Sequence, residues 1–289
     1  MKLKILFPAV VLCLFVFTSC KKDDAGTGSE TVAAKTLLNV SYGTDPLQKM
    51  DIYLPAGRRS DSTKVIILIH GGGWTSGDKA DFATSIDTLK KRIPDYAIFN
   101  INYRLAAFPN NLFPTQEVDV RAAVEFIYGN RTSYQVSDKF VLMGASAGGH
   151  LSLLQAYKYH SPVNIKAVVD FFGPTDMVAM YNDYASNPSA QLGIVGLMSG
   201  TPAGNPALYA SSSPINYVNA QTPPTIILQG ATDPIVNANT QSFALKTKLT
   251  TFSIVNDYVL YPGGHGDWDA ATYTDAFNKI GIFLAANVH

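Results

Sequence analysis

The sequence predicts an α/β fold in which a mostly parallel, eight-stranded sheet carries helices on both faces. Continuous Val, Ile and Leu runs recur along the chain, and such runs are typical of strands buried on both faces of a parallel sheet. Segments with helical spacing separate these runs, which favours a doubly covered sheet. The chain has 289 residues, 47% apolar and 15% charged, so it can bury a large core and is neither disordered nor a coiled coil.

Eight segments are predicted as strands. Turn residues over 43–46 separate the first two, which we expect to pair in antiparallel fashion. The third, KVIILIH, is a continuous apolar run that three later segments resemble. The eight predicted strands cover residues 37–42, 49–54, 64–70, 96–103, 139–143, 165–172, 225–229 and 258–261.

Five helices are predicted between these strands, and Gly129 is expected to cap the second of them. Right-handed crossovers place the carboxyl ends of parallel strands at one edge, where ligands bind. The predicted helices cover residues 78–92, 114–128, 146–160, 239–249 and 270–286.

The stretch between the sixth and seventh strands has no clear periodicity. A long irregular stretch inside a compact domain is typically functional. We therefore predict a small lid insertion over residues 177–222 with a few short helices. A surface excursion without a role is the alternative.

The amino terminus predicts a targeting signal. Lys2 and Lys4 precede an apolar run over residues 5–17, which is shorter than the about 20 residues of a membrane-spanning helix. Small residues then precede Cys20, a pattern that resembles the lipobox of bacterial lipoproteins, where the cysteine is acylated. An ordinary cleaved secretory peptide is the alternative.

These features predict the organisation of the chain. We expect a lipoprotein signal peptide over 1–19, a flexible tether over 20–35 and one folded domain over 36–289. The charged residues 21–24 resemble surface-export signals of Gram-negative lipoproteins. The expected location is the bacterial outer membrane or cell surface, with the periplasm or the medium as alternatives. Contact with the membrane is expected through the lipid anchor only.

Composition narrows the class of partner and nucleophile. Lys and Arg together number 22, and Asp and Glu together also number 22. The chain has no excess of basic residues, so its composition does not indicate a nucleic-acid partner. The two cysteines, Cys13 and Cys20, both precede the predicted domain. A disulfide framework and a thiol nucleophile are thereby excluded from that domain.

Ser146 is the candidate nucleophile. It lies at the centre of GASAG over residues 144–148, a G-x-S-x-G pattern between a predicted strand and a predicted helix. The sharp turn needs glycines and exposes the serine in front of a helix amino terminus. The pattern is weak alone, and the strand–turn–helix context strengthens it.

A glycine loop, HGGGW over residues 70–74, follows another predicted buried strand. We expect the backbone N–H groups of Gly71, Gly72 and Ala147 to form an oxyanion hole. A phosphate-binding loop is the alternative, but the sequence has neither G-K-[ST] nor G-x-G-x-x-G here.

A serine nucleophile needs a base and a carboxylate that orients it. His265 lies among glycines after the last predicted strand, which suits a catalytic base. Asp233 follows the seventh strand, and the order Ser146, Asp233, His265 is that of α/β-hydrolases. The rival histidines are His70, expected to brace the glycine loop, His150, expected in the core, His160 and His289. The rival acids are Asp176, Asp267 and Asp269.

The ordered motifs HGGGW, NYR, GASAGGH, FGPTD, ATD and GGHG resemble α/β-hydrolase esterases of the hormone-sensitive-lipase-like type. They are more similar still to the bacterial acetyl- and feruloyl-esterase-like branch, over about residues 40–289. The resemblance implies the α/β-hydrolase fold and a serine carboxylesterase that acts through an acyl-enzyme, without metal or cofactor. Gln229 departs from the histidine that many relatives have before Gly230, the first residue of the loop that carries Asp233 (the acid loop, residues 230–236).

The expected substrate is a small-molecule or polysaccharide ester, with acetyl- or feruloyl-bearing carbohydrates as the main candidates. Trp74, Tyr181 and Tyr184 are expected to contact it, because aromatic rings stack on sugars and on aromatic acyl groups. Two other functions stay open. One is a formamidase or peptidase with the same triad, and the other is a non-catalytic glycan-binding lipoprotein on a hydrolase scaffold.

Overall fold

The computed structural model describes residues 32–289, in which eight strands form one sheet in the order β1-β2-β4-β3-β5-β6-β7-β8. Each strand overlaps its predicted segment, so the strand prediction is confirmed. The strands are β1 (Lys35–Ser41), β2 (Lys49–Leu54), β3 (Lys64–Ile69), β4 (Tyr96–Ile101), β5 (Phe140–Ala145), β6 (Ala167–Phe171), β7 (Thr225–Gly230) and β8 (Asn256–Tyr261).

Strand direction follows the prediction. β1 pairs with β2, and β2 with β4, in antiparallel fashion, whereas β3 to β8 are parallel to one another. The carboxyl ends of these six strands therefore lie at one edge of the sheet.

Helices cover both faces of this sheet. Val65, Ile67 and Ile69 of β3 face a core shared with α2, α4 and α8, whereas Ile66 and Leu68 face a core shared with α1 and α9. This alternation explains why the strand is a continuous apolar run. In the described range the helices are α1 (Ala83–Arg92), α2 (Thr115–Gly129), α3 (Arg131–Tyr134), α4 (Ala147–Lys158), α5 (Met177–Asp183), α6 (Pro188–Leu197), α7 (Pro206–Ser211), α8 (Ala244–Thr251) and α9 (Ala270–Asn287).

The lid segment, residues 177–222, contains α5, α6 and α7 and two 3₁₀ turns, in agreement with the prediction of a few short helices. It connects β6 to β7 and is anchored by apolar side chains. Met180, Ile194, Leu197 and Tyr209 are all buried in the core that α2 and α4 share. The lid is thus packed onto the body of the domain.

One predicted helix cap is wrong. Gly129 is the last residue of α2 rather than its cap, and α3 begins two residues later. The reason is Asn130, whose backbone N–H and side-chain amide both donate to the carbonyl of Phe126, at 3.1 and 2.8 Å. This side chain satisfies the end of α2 without a left-handed glycine.

The start of the domain differs slightly from the predicted boundary. Lys35 already belongs to β1, and the carbonyl of Val32 accepts a hydrogen bond from the N–H of Gly57 at 2.7 Å. The last residues of the predicted tether are therefore part of the domain. The predicted signal peptide, Cys20 and the rest of the tether lie outside the described residues. From residue 32 onward, no helix is long and apolar enough to cross a membrane.

Candidate active site

Ser146 lies in the turn between β5 and α4, with φ 54° and ψ −121°. This backbone conformation is strained for a residue with a side chain. The N–H of Ser146 donates to the carbonyl of Phe171 at 2.8 Å, which ties the turn to β6. A Cβ on Gly144 would lie 2.1 Å from the carbonyl oxygen of Gly148, so the turn closes only with glycine there.

Three side chains form a hydrogen-bonded chain at the carboxyl edge of the sheet. His265 Nε2 lies 2.8 Å from Ser146 Oγ, and His265 Nδ1 lies 2.7 Å from Asp233 Oδ2. The serine follows β5, the aspartate follows β7 and the histidine follows β8. The structure therefore brings together the three residues that the sequence predicted as a triad.

The side chain of Asp233 is buried and held by four donors. Its Oδ1 accepts from the N–H groups of Ile235 and Val236 at 2.8 and 2.9 Å, and its Oδ2 accepts from Gln229 Nε2 at 3.0 Å and from His265. Burial opposes ionisation, but the hydrogen bonds from His265 and the two backbone N–H groups outweigh it. The pKa of this carboxyl is therefore lower than its ordinary value.

The loop that carries His265 is fixed on both sides. Asp267 Oδ1 accepts from the N–H of Gly264 at 2.6 Å, and the hydroxyl of Tyr273 donates to the carbonyl of Gly266 at 2.7 Å. The ring of Phe172 lies against the imidazole of His265, with ring centroids 4.5 Å apart. The imidazole of His265 thus has a defined position.

The glycine loop lies directly beside the serine. A Cβ on Gly71 would be 3.3 Å from Ser146 Cβ and 2.9 Å from the carbonyl oxygen of Ala145. Among the described residues, the N–H groups of Gly71, Gly72 and Ala147 have no hydrogen-bond acceptor. These unpaired donors next to Ser146 could bind an oxyanion.

His70 and Tyr103 brace this loop. His70 Nδ1 donates to the carbonyl of Gly71 at 2.8 Å, and its ring stacks on Tyr103 with centroids 4.3 Å apart. The hydroxyl of Tyr103 donates to the carbonyl of His70 at 3.0 Å. Burial lowers the pKa of His70, so the ring is neutral. The bracing role predicted for His70 agrees with this geometry.

His150 connects the glycine loop to the lid, beyond the core role predicted for it. Its Nδ1 accepts from Trp74 Nε1 at 3.2 Å, and its Nε2 donates to the carbonyl of Ser212 at 2.7 Å. Complete burial lowers the pKa of His150 to about 4. The ring is therefore neutral and can accept and donate at the same time.

The other candidate acids have structural roles. Asp176 caps α5, Asp269 caps α9, and Asp267 holds the N–H of Gly264. None of the three contacts His265 in the hydrogen-bond network of the described residues. Residues 32–289, the part of the chain that the structure describes, contain no cluster of His, Cys, Asp and Glu that could hold a metal ion.

A pocket of about 540 Å³ opens onto Ser146 and His265. The described side chains that line it include no Asp, Glu, Lys or Arg. Most of the lining is apolar or aromatic. It comes from the glycine loop, the segment that directly follows β6, the lid and the acid loop: Trp74, Phe172, Pro174, Met180, Tyr184, Ala190, Gly193, Ile194, Leu197 and Ile235.

The structure places two of the three predicted substrate-binding aromatics at this pocket. Trp74 and Tyr184 line it, but Tyr181 does not, and its ring packs edge-on against Tyr209. The expectation for Tyr181 is therefore corrected. Tyr181 is the next residue after Met180 on α5, so its side chain points about 100° away from the side of the helix on which Met180 lines the pocket.

Sequence reasoning missed the contacts of Phe172 and Gln229. Phe172 lies one residue beyond β6 and packs on His265. Gln229 is a polar residue inside the buried strand β7, and it donates to Asp233. A buried amide within an apolar strand was the available signal, because such a group needs a partner.

The chain resembles known esterases in sequence. The BD-FAE family model matches residues 50–249. Esterase LipC of Mycobacterium tuberculosis is 25% identical over 268 residues, which cover 85% of this chain and 64% of LipC. The chain thus spans less than two thirds of the length of this curated relative.

Two solved structures share the fold. A truncated form of a carbohydrate esterase from gut microbiota is 26% identical, with a TM-score of 0.73 over 89% of this chain and 97% of that chain. A bifunctional GH43-CE protein of Bacteroides eggerthii is 28% identical, with a TM-score of 0.73 over 87% of this chain and 38% of that chain. The predicted α/β-hydrolase fold is confirmed.

Proposed function

The chain belongs to the BD-FAE family, and from this premise we propose that it is a serine hydrolase of carboxylic esters that works through an acyl-enzyme. The observation that carries the proposal is the hydrogen-bonded chain from Ser146 through His265 to Asp233. The relation to esterase LipC supports the same reaction class.

In the first half of the proposed reaction, Ser146 Oγ attacks the ester carbonyl carbon. His265 Nε2, 2.8 Å from that oxygen, accepts the hydroxyl proton, and the carbonyl oxygen becomes an oxyanion. When the intermediate collapses, the bond to the alcohol oxygen breaks and the alcohol takes the proton from His265. In the second half, water attacks the acyl-enzyme in the same way and restores Ser146.

The proposed oxyanion donors are the N–H groups of Gly71, Gly72 and Ala147. Gly71 lies beside Ser146, Gly72 lines the same pocket, and Ala147 follows Ser146 in the chain. None of the three N–H groups has an acceptor among the described residues. One such donor typically contributes about 10²–10³ in rate. The carboxylate of Asp233 has a lowered pKa and stays ionised, so it stabilises the imidazolium that forms on His265.

We propose a carbohydrate ester as substrate, with an acetyl or feruloyl acyl group. The two similar solved structures are described as a carbohydrate esterase and a GH43-CE protein. The pocket of about 540 Å³ beside Ser146 is larger than an acetyl group needs, and its uncharged, largely apolar lining suits a neutral aromatic acyl group. Of the two acyl groups, the size and lining of this pocket favour feruloyl over acetyl.

The test compares the wild type with Ser146→Ala. We expect a fluorophosphonate probe to label the wild type and not the variant. We also expect the wild type alone to hydrolyse p-nitrophenyl esters and to release ferulate or acetate from acylated xylan. Retained ester turnover by a folded Ser146→Ala variant would refute the nucleophile. Faster turnover of formamides or peptides than of esters would favour the formamidase or peptidase, and glycan binding without labelling would favour a binding protein.

We also propose that Cys20 is acylated and anchors the chain to a bacterial membrane, on the lipobox-like sequence alone. Expression of the full chain in a Gram-negative host with radiolabelled palmitate tests this proposal. We expect label in the wild type and its loss in Cys20→Ser, whereas Cys13→Ser keeps the label. Equal label in wild type and Cys20→Ser would contradict acylation at this cysteine.

A further inference from the structure

Gln229 is buried near the end of β7, with its amide between the acid loop and the segment before α8. Its Nε2 lies 3.0 Å from Asp233 Oδ2, and 3.2 Å from the carbonyl oxygens of both Gly230 and Val236. Its Oε1 accepts a hydrogen bond from Ser242 Oγ at 2.6 Å. Both ends of this amide are therefore engaged.

The chemistry of these partners fixes the orientation of the amide. Two carbonyl oxygens and a carboxylate oxygen can only accept, so the amide nitrogen must face them. The opposite orientation would place Oε1 against three acceptors and Nε2 against the Ser242 hydroxyl. The amide nitrogen of Gln229, Nε2, therefore faces Asp233 Oδ2.

This donor shares Asp233 Oδ2 with His265 Nδ1. The other carboxylate oxygen, Oδ1, is held by the backbone N–H groups of Ile235 and Val236. Each oxygen therefore has two donors, and the plane of the carboxylate is fixed on both sides. Without Gln229, Oδ2 would have His265 as its single donor among the described residues.

We propose that Gln229 is a positioning residue, which holds the Asp233 carboxylate in the plane where Oδ2 meets the Nδ1–H of His265. This inference rests on the proposed esterase function, because its consequence for turnover passes through His265. Gln229 does not line the pocket beside Ser146, so its effect is on kcat and not on substrate binding.

The test is Gln229→Leu, which keeps the approximate volume and removes the amide. We expect kcat for a p-nitrophenyl ester to fall by about 10- to 100-fold, the range for losing a hydrogen bond to a charged group, with KM unchanged within about twofold. In an Asp233→Asn background, we expect Gln229→Leu to reduce kcat by less than about threefold. Multiplicative effects in the double variant would show that Gln229 acts independently of Asp233 and would overturn the proposal.

A matched control is Gln241→Leu. Gln241 is equally buried, and its Oε1 accepts from the N–H groups of Thr175 and Asp176 at 2.8 and 2.9 Å, with no contact to Asp233. We expect Gln241→Leu to lower the free energy of unfolding about as much as Gln229→Leu does, and to leave kcat unchanged. A comparable fall in kcat for both variants would assign the effect to general loss of packing.

A spectroscopic measurement separates this inference from the proposed function. The Nδ1–H proton of His265 gives a far-downfield proton NMR signal when a carboxylate holds it. We expect Gln229→Leu to shift or broaden this signal and Gln241→Leu to leave it unchanged, whether or not esters are turned over. An unchanged signal in Gln229→Leu would overturn the positioning role, whereas failure of wild-type ester hydrolysis alone would overturn the function.

Discussion

The hydroxyl of Tyr184 in the lid donates a hydrogen bond to the backbone carbonyl of Ile235, at 2.9 Å. Ile235 is two residues beyond Asp233, and its backbone N–H donates a hydrogen bond to Asp233 Oδ1. A second bond from Thr240 Oγ1 to Asp183 Oδ2, at 2.6 Å, joins the lid to the helical turn that precedes α8. The lid therefore contributes to the position of the acid loop as well as to the wall of the pocket.

Tyr184→Phe keeps the aromatic wall and removes this bond to the acid loop. We expect kcat/KM for p-nitrophenyl esters to fall by about 3- to 10-fold, the equivalent of one neutral hydrogen bond. Tyr181→Phe is the matched control, since Tyr181 lies outside the pocket and its hydroxyl makes no hydrogen bond to the described residues. Equal losses in the two variants would contradict the proposed link.

The positions of Ser146, Asp233 and His265 could be predicted because each follows a strand at a glycine-marked turn. Parallel strands place such turns at one edge, whatever the length of chain between them. The turn motifs and the order of the parallel strands therefore both predict that these three side chains meet at one edge of the sheet.

The contacts of Tyr184 and His150 could not be predicted in the same way. Tyr184 bonds a residue 51 positions away, and His150 bonds Trp74 and Ser212 at separations of 76 and 62. The contacts of Tyr184 and Ser212 depend on how the lid packs, and the lid helices are too short for their periodicity to fix a face. The error at Tyr181 has this cause.

Gly193 on α6 provides space in the pocket beside Ser146. It lines the pocket, and a Cβ placed on it would have no neighbour within 4 Å. In Gly193→Leu the added side chain occupies that space, so we expect kcat/KM for feruloyl and other large acyl esters to fall by about 10-fold or more. A tenfold fall corresponds to about 1.4 kcal/mol of lost transition-state stabilisation. Acetyl esters should change by less than about twofold.

Gly196→Leu is the control for this change. Gly196 is on the same helix and is equally free of neighbours around a Cβ, but it does not line the pocket. We expect its acyl-chain preference to match the wild type in the same p-nitrophenyl ester series. A parallel loss for acetyl and large acyl esters in Gly193→Leu would show that this position does not set acyl size.

Trp74→Phe removes the donor that holds His150. The Nδ1 of His150 is then a buried acceptor without a partner, which costs about 1–3 kcal/mol of unfolding free energy. We expect urea unfolding to show this loss and kcat to fall, because the glycine loop loses its attachment to α4. In Trp268→Phe, the control, Nε1 has no partner in the described residues, so no hydrogen bond is lost. Equal destabilisation of the two variants would contradict the role of the Trp74 bond.

Asp170 and Asp233 should affect stability with opposite dependence on pH. Asp170 in β6 is fully buried, and its Oδ1 accepts from the N–H of Gly173 at 3.0 Å, while Oδ2 has no partner among the described residues. Burial raises the pKa of Asp170 well above its ordinary value. The folded protein therefore keeps a proton that the unfolded chain releases above a pKa of about 3.9, and this lowers stability as pH rises.

Asp170→Asn removes this titration, so the thermal midpoint of the variant minus that of the wild type should increase from pH 4 to pH 8. Asp233 has a lowered pKa, so its contribution is present above about pH 4 and is lost as pH falls through the folded pKa. Asp233→Asn should therefore destabilise by a nearly constant amount from pH 8 to about pH 4, with a deficit that narrows only below about pH 4. Calorimetric scans of Asp170→Asn from pH 4 to pH 8, and of Asp233→Asn from pH 8 to below pH 4, give the comparison. The thermal midpoint of Asp170→Asn minus that of the wild type could instead decrease toward pH 8. The Asp170 carboxyl would then be ionised and stabilised in the folded protein, because only such a group adds stability as pH rises.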